Sequence, residues 1–181
     1  LLSCLLFSLF LTGAALAAGE EDASPVEIRT AEEFRAMADF PQGSYILQAN
    51  INMEGLDWVP FSFSGTLDGN GFTVYNLTVS SVGEERCTTV DGNHKEYETA
   101  FAGLFSSLKQ ASVRDLSLRN VRIRLPADGN NCFAALLAGY VEDADIRGCT
   151  LQGSVELRSS AAMAGVGGIA GFGTGSFSDC S

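Results

Sequence analysis

The chain is poor in the residues that usually carry catalysis. In 181 residues it has one histidine, His94, one tryptophan, Trp58, and four prolines. No H-E-x-x-H sequence is present and there is no second histidine, so no zinc-peptidase site can be assembled. No C-x-x-C pair or Cys/His cluster suggests a structural zinc. His94 stands in the polar insert "SSVGEERCTTVDGNHKEYETA" (80–100) and reads as a solvated loop residue, not as the base of a Ser-His-Asp triad. Asp91, Asn93 and Glu96 in that insert lack the full spacing of an EF-hand and read as plain loop polarity. No cofactor or metal ligand set emerges. Basic residues are scarce, with 11 Lys and Arg against 22 Asp and Glu and a net charge of −11. That balance argues against nucleic acid and anionic membrane surfaces as partners, and it keeps an exposed protein soluble.

The longest apolar run lies at the start. "LLSCLLFSLFLTGAALA" (1–17) ends in Ala15-Leu16-Ala17, an A-x-A signal before Ala18, and reads as a secretory signal peptide too short to remain as a membrane span. Cys4 lies deep in the apolar stretch, which speaks against a lipoprotein anchor. The missing Met and basic n-region suggest a trimmed N-terminus. An exported, secreted or cell-surface protein is expected, with no membrane span in the mature chain. Residues 18–25 read as a flexible acidic leader. Residues 26–64 read as an N-terminal cap of strand, helix and strand. In it Thr30 and Glu33 form a capping box, Phe34, Met37 and Ala38 share a helix face, and Tyr45, Leu47, Ala49, Ile51 and Met53 alternate along a half-buried strand.

From residue 65 to 181 the chain repeats. Val74-Tyr75-Asn76-Leu77-Thr78-Val79 matches Val113-Arg114-Asp115-Leu116-Ser117-Leu118, then Ile146-Arg147-Gly148-Cys149-Thr150-Leu151 and Phe177-Ser178-Asp179-Cys180-Ser181. A second track keeps phase at Ala102–Ser106, Ala135–Gly139 and Gly167–Gly171. Two short strands per period, with glycine corners and no helical patterning between copies, exclude TPR or ankyrin arrays and predict an all-β parallel β-helix. Its inward ladders would be Val74/Val113/Ile146/Phe177, Leu77/Leu116/Cys149/Cys180 and Val79/Leu118/Leu151. "GTLDGNGFTVYNLTV" (65–79) then reads as a corner and not a calcium loop, since Asp68-Gly69-Asn70-Gly71 supplies positive φ at little cost. "GVGGIAGFGTG" lacks the following helix of a dinucleotide loop. Asn76-Leu77-Thr78 is a sequon only in form. Ser181 falls midway through a rung, so a C-terminally truncated fragment is expected.

These residues resemble the GLUG-motif proteins of bacterial surfaces, whose signature is Gly-Leu-hydrophobic-Gly. It occurs imperfectly as Gly103-Leu104-Phe105-Ser106, Leu136-Leu137-Ala138-Gly139 and Gly168-Ile169-Ala170-Gly171, and the leading segment 26–79 is similar too. The resemblance implies a right-handed parallel β-helix with a short N-terminal capping helix, on an adhesin-like surface protein. Some such proteins are immunoglobulin-cleaving metallopeptidases, in which coils of this kind accompany the catalytic domain.

Two further features are candidate sites. Cys149 and Cys180 read as free core thiols, and Cys87 with Cys132, placed in the inserts 80–100 and 125–133, as a candidate disulfide. Arg114, Arg119, Arg122, Arg124 and Arg147, with Lys109 nearby, form a candidate patch for an anionic ligand, Asp115 relieving the repulsion between Arg114 and Arg147. The expected function is a non-catalytic surface module that binds an extracellular glycan, cell-wall polymer or host protein, or acts as a spacer. The alternatives are an accessory coil of a larger secreted metallopeptidase and a β-helix polysaccharide lyase or hydrolase. The outward set Tyr75, Arg114, Arg147 and Ser178 holds no acid pair for the lyase or hydrolase chemistry.

Overall fold

The computed structural model describes residues 24–84, 86–90, 94, 96–125, 131–158 and 163–181. Residues 1–17, read above as a signal peptide, and residues 18–23 of the leader lie outside the described residues. The described chain is all-β with one short helix. Strand β1 (Val26–Ile28) leads to α1 (Ala31–Ala36) and a 3-10 turn at Met37–Asp39. The Glu33 N–H donates to Thr30 Oγ1 at 3.2 Å, and the Glu33 carboxylate accepts from the Thr30 and Arg29 N–H groups at 3.0 and 2.7 Å, completing the expected capping box. The backbone donors of Arg29 and Thr30 hold the Glu33 carboxyl below its ordinary pKa. Phe34 and Met37 are buried as expected. Ala38 is exposed instead, because the tighter 3-10 turn rotates it away from the apolar face.

The alternating run at 45–53 splits into β2 (Ser44–Leu47) and β3 (Ile51–Asn52) around a corner that leaves Ala49 only half-buried. Short strands follow: β4 (Phe61–Phe63), β5 (Thr66–Asp68), β6 (Thr73–Tyr75) and β7 (Thr78–Val79). Where a loop was expected, β8 (Arg86–Val90) and β9 (Glu96–Ala102) form an antiparallel hairpin. Then come β10 (Phe105–Lys109), β11 (Ser112–Arg114), β12 (Ser117–Leu125), β13 (Asn131–Ala135), β14 (Ala138–Arg147), β15 (Thr150–Leu157), β16 (Ala164–Gly167) and β17 (Ala170–Ser178).

Three sheets result. The first runs β1-β2-β5-β11-β14-β10-β4 with β17 on β14, the second β15-β12-β6-β3 with β7 on β12, and the third β16-β13-β9-β8. Among the described residues every pairing except β8–β9 is parallel. From β9 onward the chain visits the third, first and second sheets in turn, then repeats the circuit. A circuit therefore crosses three sheets, where two short strands per period were expected. The third sheet escaped notice because "NCFAA" and "AGVG" are built mainly of small residues, without the Val/Ile signature of a strand.

Register also corrects the ladders. Val113, Ile146 and Phe177 are partners, but Leu67 and Tyr45 extend that column, not Val74. Val74 lies between Ile51 and Leu118 in the second sheet, and Val79 pairs with Ile123. The hairpin insert stretches the first period, Leu67 to Val113, to 46 residues, and that stretch misled the alignment. Leu116, Cys149 and Cys180 do stack, with the Thr150 N–H bonded to Leu116 O and the Ser181 N–H to Cys149 O.

Corners repeat in register as well. Asp115, Gly148 and Asp179 follow the partnered Arg114, Arg147 and Ser178, with φ of 51°, 59° and 52°. Asn70 and Gly71 take φ of 49° and 75° in the "DGNG" corner, where the Asp68 carboxylate accepts from the Asn70 N–H at 2.7 Å. Asn76 and Asn120 share left-handed φ of 62° and 51° at one level of the second sheet. Their amides form a ladder, Asn120 Nδ2 donating to Asn76 at 2.7 Å and Asn76 Nδ2 to Asn52 at 2.9 Å. The side chain of the formal sequon is thus engaged within the chain. Replacing Asn76 by Ala removes both bonds and puts at positive φ a residue that tolerates it less well than Asn, which should cost about 2 kcal/mol. Asn76→Gly keeps the backbone easy and should cost less; denaturant unfolding of the two variants compares them.

The three bends that carry the motif residues also stack. Leu104 and Leu137 are buried and Ile169 is half-buried, with the Phe105 N–H donating to Leu137 O at 2.8 Å and the Ala138 N–H to Ile169 O at 3.0 Å. Ser106 sits level with Gly139 and Gly171. A Cβ on Gly139 would meet the Ala102 backbone nitrogen at 2.5 Å, and one on Gly171 the Gly139 carbonyl at 2.8 Å. Ser106 fits because the segment facing it has a glycine: a Cβ on Gly83 would lie 2.5 Å from Ser106 Cβ and 2.6 Å from the Pro60 carbonyl. The missing side chain has moved from one side of the contact to the other. Gly83→Ala should destabilise by about 1–3 kcal/mol. Ser106→Gly in the same chain should recover part of that loss, and a double-mutant cycle in urea reads the coupling.

Candidate functional site

The outer face of the second sheet carries aligned polar rows. Thr73, Ser117 and Thr150 form one row, Tyr75 and Arg119 a second, Thr78, Arg122 and Ser154 a third, and Arg124 with Glu156 a fourth. Two shallow hollows of about 290 and 310 Å³ lie on this face, and Arg119 lines both. The smaller includes Thr73 and Thr150, the larger Arg122 and Ser154.

The five arginines of the sequence-derived patch do not form one patch. Arg114 and Arg147 are neighbours on the first sheet, while Arg119, Arg122 and Arg124 are on β12 of the second. Three are neutralised. Arg114 meets Asp68 at 2.6 Å. Arg147 forks onto Asp145, with Nε 2.9 Å from each carboxylate oxygen, and holds that carboxyl below its ordinary pKa. Arg124 lies 3.5 Å from Glu156, a carboxyl held low first by Arg158 and then by Arg124. Relief of the Arg114–Arg147 repulsion therefore comes from Asp68 and Asp145, not from the expected Asp115. Among the described residues no carboxylate lies within ion-pair distance of Arg119 or Arg122. Register moves the outward set assumed for the enzyme reading as well: Asp68, Arg114, Arg147 and Ser178 form that column, and Tyr75 stands beside Arg119.

A second concavity of about 660 Å³ lies between α1 and the segment Trp58–Ser62. Val59 and Pro60 line it, with Glu32, Arg35 and Asp39 on the helix side. Trp58 is a structural part of its wall, 3% exposed, with Nε1 donating to Leu104 O at 2.7 Å and its ring 5.6 Å from that of Phe34. Among the described residues the buried Ser106 hydroxyl has no hydrogen-bond partner. In the 80–100 insert, His94 and Glu96 are exposed, and Asp91 and Asn93 lie outside the described residues.

The expected bridge between Cys87 and Cys132 is not formed. β9 lies between their strands, Cys87 pairing with Thr99 on one side and Cys132 with Ala100 on the other, so two strand spacings of about 4.8 Å separate them. Cys132 belongs to a strand of the third sheet, not to an insert. Cys149 and Cys180 stay as thiols, turned toward carbonyls of their own turns: Arg147 O at 3.3 Å and Ser178 O at 3.2 Å. Burial pushes the Cys149 thiol up from 9.0 to about 11. This raised value favours the folded state below pH 9 and is lost as pH rises through 11, so stability should fall across that window. A thiol-specific reagent at pH 8 should leave Cys149 unlabelled until the protein unfolds, read by peptide mass mapping with and without denaturant.

No protein-family model matches the chain, and no curated protein matches it either. Among solved structures it is similar to a "putative immunoglobulin A1 protease" from Bacteroides ovatus, with 17% identity and a TM-score of 0.51. The likeness covers 88% of this chain and 57% of that one. At that identity it speaks for the fold alone. Among the described residues no helix is long and apolar enough to cross a membrane.

Proposed function

We propose that the chain is a right-handed parallel β-helix module of an exported or cell-surface protein, and that it binds a glycan or protein ligand without transforming it. The three-sheet circuits support the coil, and the strong preference of parallel crossovers for one hand supports its right-handedness. The stacked bends at Leu104, Leu137 and Ile169 support kinship with the GLUG-motif proteins. The observation that carries the binding role is the outer face of the second sheet. There hydroxyl, amide and arginine side chains repeat at strand spacing, matching the periodic hydrogen-bonding groups of a linear polymer.

The name of the Bacteroides ovatus structure favours a second reading, in which this coil is an accessory part of a larger secreted peptidase. One experiment separates the two. The purified protein is applied to a glycan array and to immobilised glycoproteins including immunoglobulin A1, and the ligands are then analysed by mass spectrometry. Saturable binding with every ligand intact is expected. Cleavage of a glycan or of immunoglobulin by this chain overturns the non-catalytic reading. Binding confined to immunoglobulin, without cleavage, favours the accessory role.

A further inference from the structure

Deepening the reading above and resting on it, we propose that Arg119 and Arg122 are the anion contacts for an acidic polysaccharide lying across the second sheet. The backbone places them together. Residues three apart on a regular strand face opposite sides, so one of the two would normally point inward. Here β12 shifts register against β15 between Leu118 and Val121, and Asn120 takes a φ of 51°. The bulge turns Val121 into the core and leaves Arg119, Asn120 and Arg122 all exposed. Arg119 and Arg122 thus share one face and line the same hollow.

Charge singles out the same pair. Among the described residues, Arg114, Arg124 and Arg147 are each held by a carboxylate, and Arg119 and Arg122 are not. A guanidinium offers a planar fork of donors that fits carboxylate and sulfate groups alike. The surroundings suit the rest of a sugar. Arg119 lines both hollows, whose other walls include Thr73, Ser117, Thr150 and Asp115 in the smaller and Gln152 and Ser154 in the larger. Tyr75 stands beside Arg119 on the neighbouring strand.

The net charge of −11 opposes a polyanion at long range. At physiological salt, however, exposed charges beyond about 8 Å are largely screened, so the charges nearest the face count most: Arg119 and Arg122, set against Asp115 in the smaller hollow. Each exposed contact accounts for up to about a fivefold change in affinity. A single sugar therefore binds weakly, and a polymer that offers many registers binds measurably.

The test uses heparin, polygalacturonate and neutral dextran as probes, with binding followed by biolayer interferometry at two salt concentrations. The purified protein should bind heparin, polygalacturonate or both, less tightly at higher salt. The double variant Arg119→Gln/Arg122→Gln should lose about tenfold or more in affinity, and Arg114→Gln/Arg147→Gln should stay within about twofold. Equal thermal midpoints exclude misfolding of these exposed variants. Heparin binding alone assigns a sulfated ligand, and polygalacturonate binding alone a uronate ligand. Failure to bind either acidic polymer, or equal loss in both double variants, overturns the assignment. Undiminished binding by Arg119→Gln/Arg122→Gln overturns it too. Retained binding to neutral glycans or glycoproteins on the array would then leave the module reading standing without the anion site.

Discussion

Parallel pairing in a fixed register places every residue beside its equivalents one circuit before and one after, about 4.8 Å away. The rest of this molecule follows from that constraint. A column that faces inward is mostly apolar, as Leu67, Val113 and Ile146 are, and a polar member needs a partner of its own, as Ser107 has in Ser62 on the neighbouring strand. A corner that needs left-handed backbone is filled mostly by Gly, Asn or Asp, as at Asp115, Gly148 and Asp179, although Gln110 also takes a φ of 52°. Polar side chains at aligned corners can bond one another along the stack, as Asn52, Asn76 and Asn120 do. Local sequence choices are therefore set by position within the circuit more than by neighbours in the chain.

The same constraint explains what could be read in advance. Branched and aromatic residues at inward positions, with glycine corners between them, made the parallel all-β architecture legible. The capping box was legible because Thr30 and Glu33 satisfy backbone donors within four residues, a purely local arrangement. Two things were hidden. The third sheet is lined inward by Ala100, Ala102, Cys132 and Ala134, whose small side chains give almost no strand signal. The β8–β9 hairpin lengthens the first period, and an alignment by residue type slid Val74 one strand out of place. A period that changes between circuits cannot be recovered from pattern alone, since Val74 and Leu67 are equally suited to an inward column.

The candidate site was only half legible. Spacing along β12 showed a run of arginines alternating with Val121, Ile123 and Leu125, so outward placement of Arg122 and Arg124 followed from a period of two. Which arginines are free of carboxylates did not follow. Asp68 reaches Arg114 from a strand 46 residues earlier, and Glu156 reaches Arg124 from the following circuit. The bulge that brings Arg119 onto the face of Arg122 depends on Asn120 adopting positive φ, which its position in the stack above Asn76 requires.

Stacked parallel pairing divides inward positions from outward ones. Inward columns and corners fix the backbone, and substitutions there disturb circuits on both sides, as the exchange between Gly83 and Ser106 illustrates. Outward columns carry little packing and can vary in charge at small cost. In an acidic chain with few basic residues, three outward arginines, Arg114, Arg147 and Arg124, each meet a carboxylate, from Asp68, Asp145 and Glu156. Among the described residues Arg119 and Arg122 close no ion pair, and neither packs in the core, so their value to the fold is small.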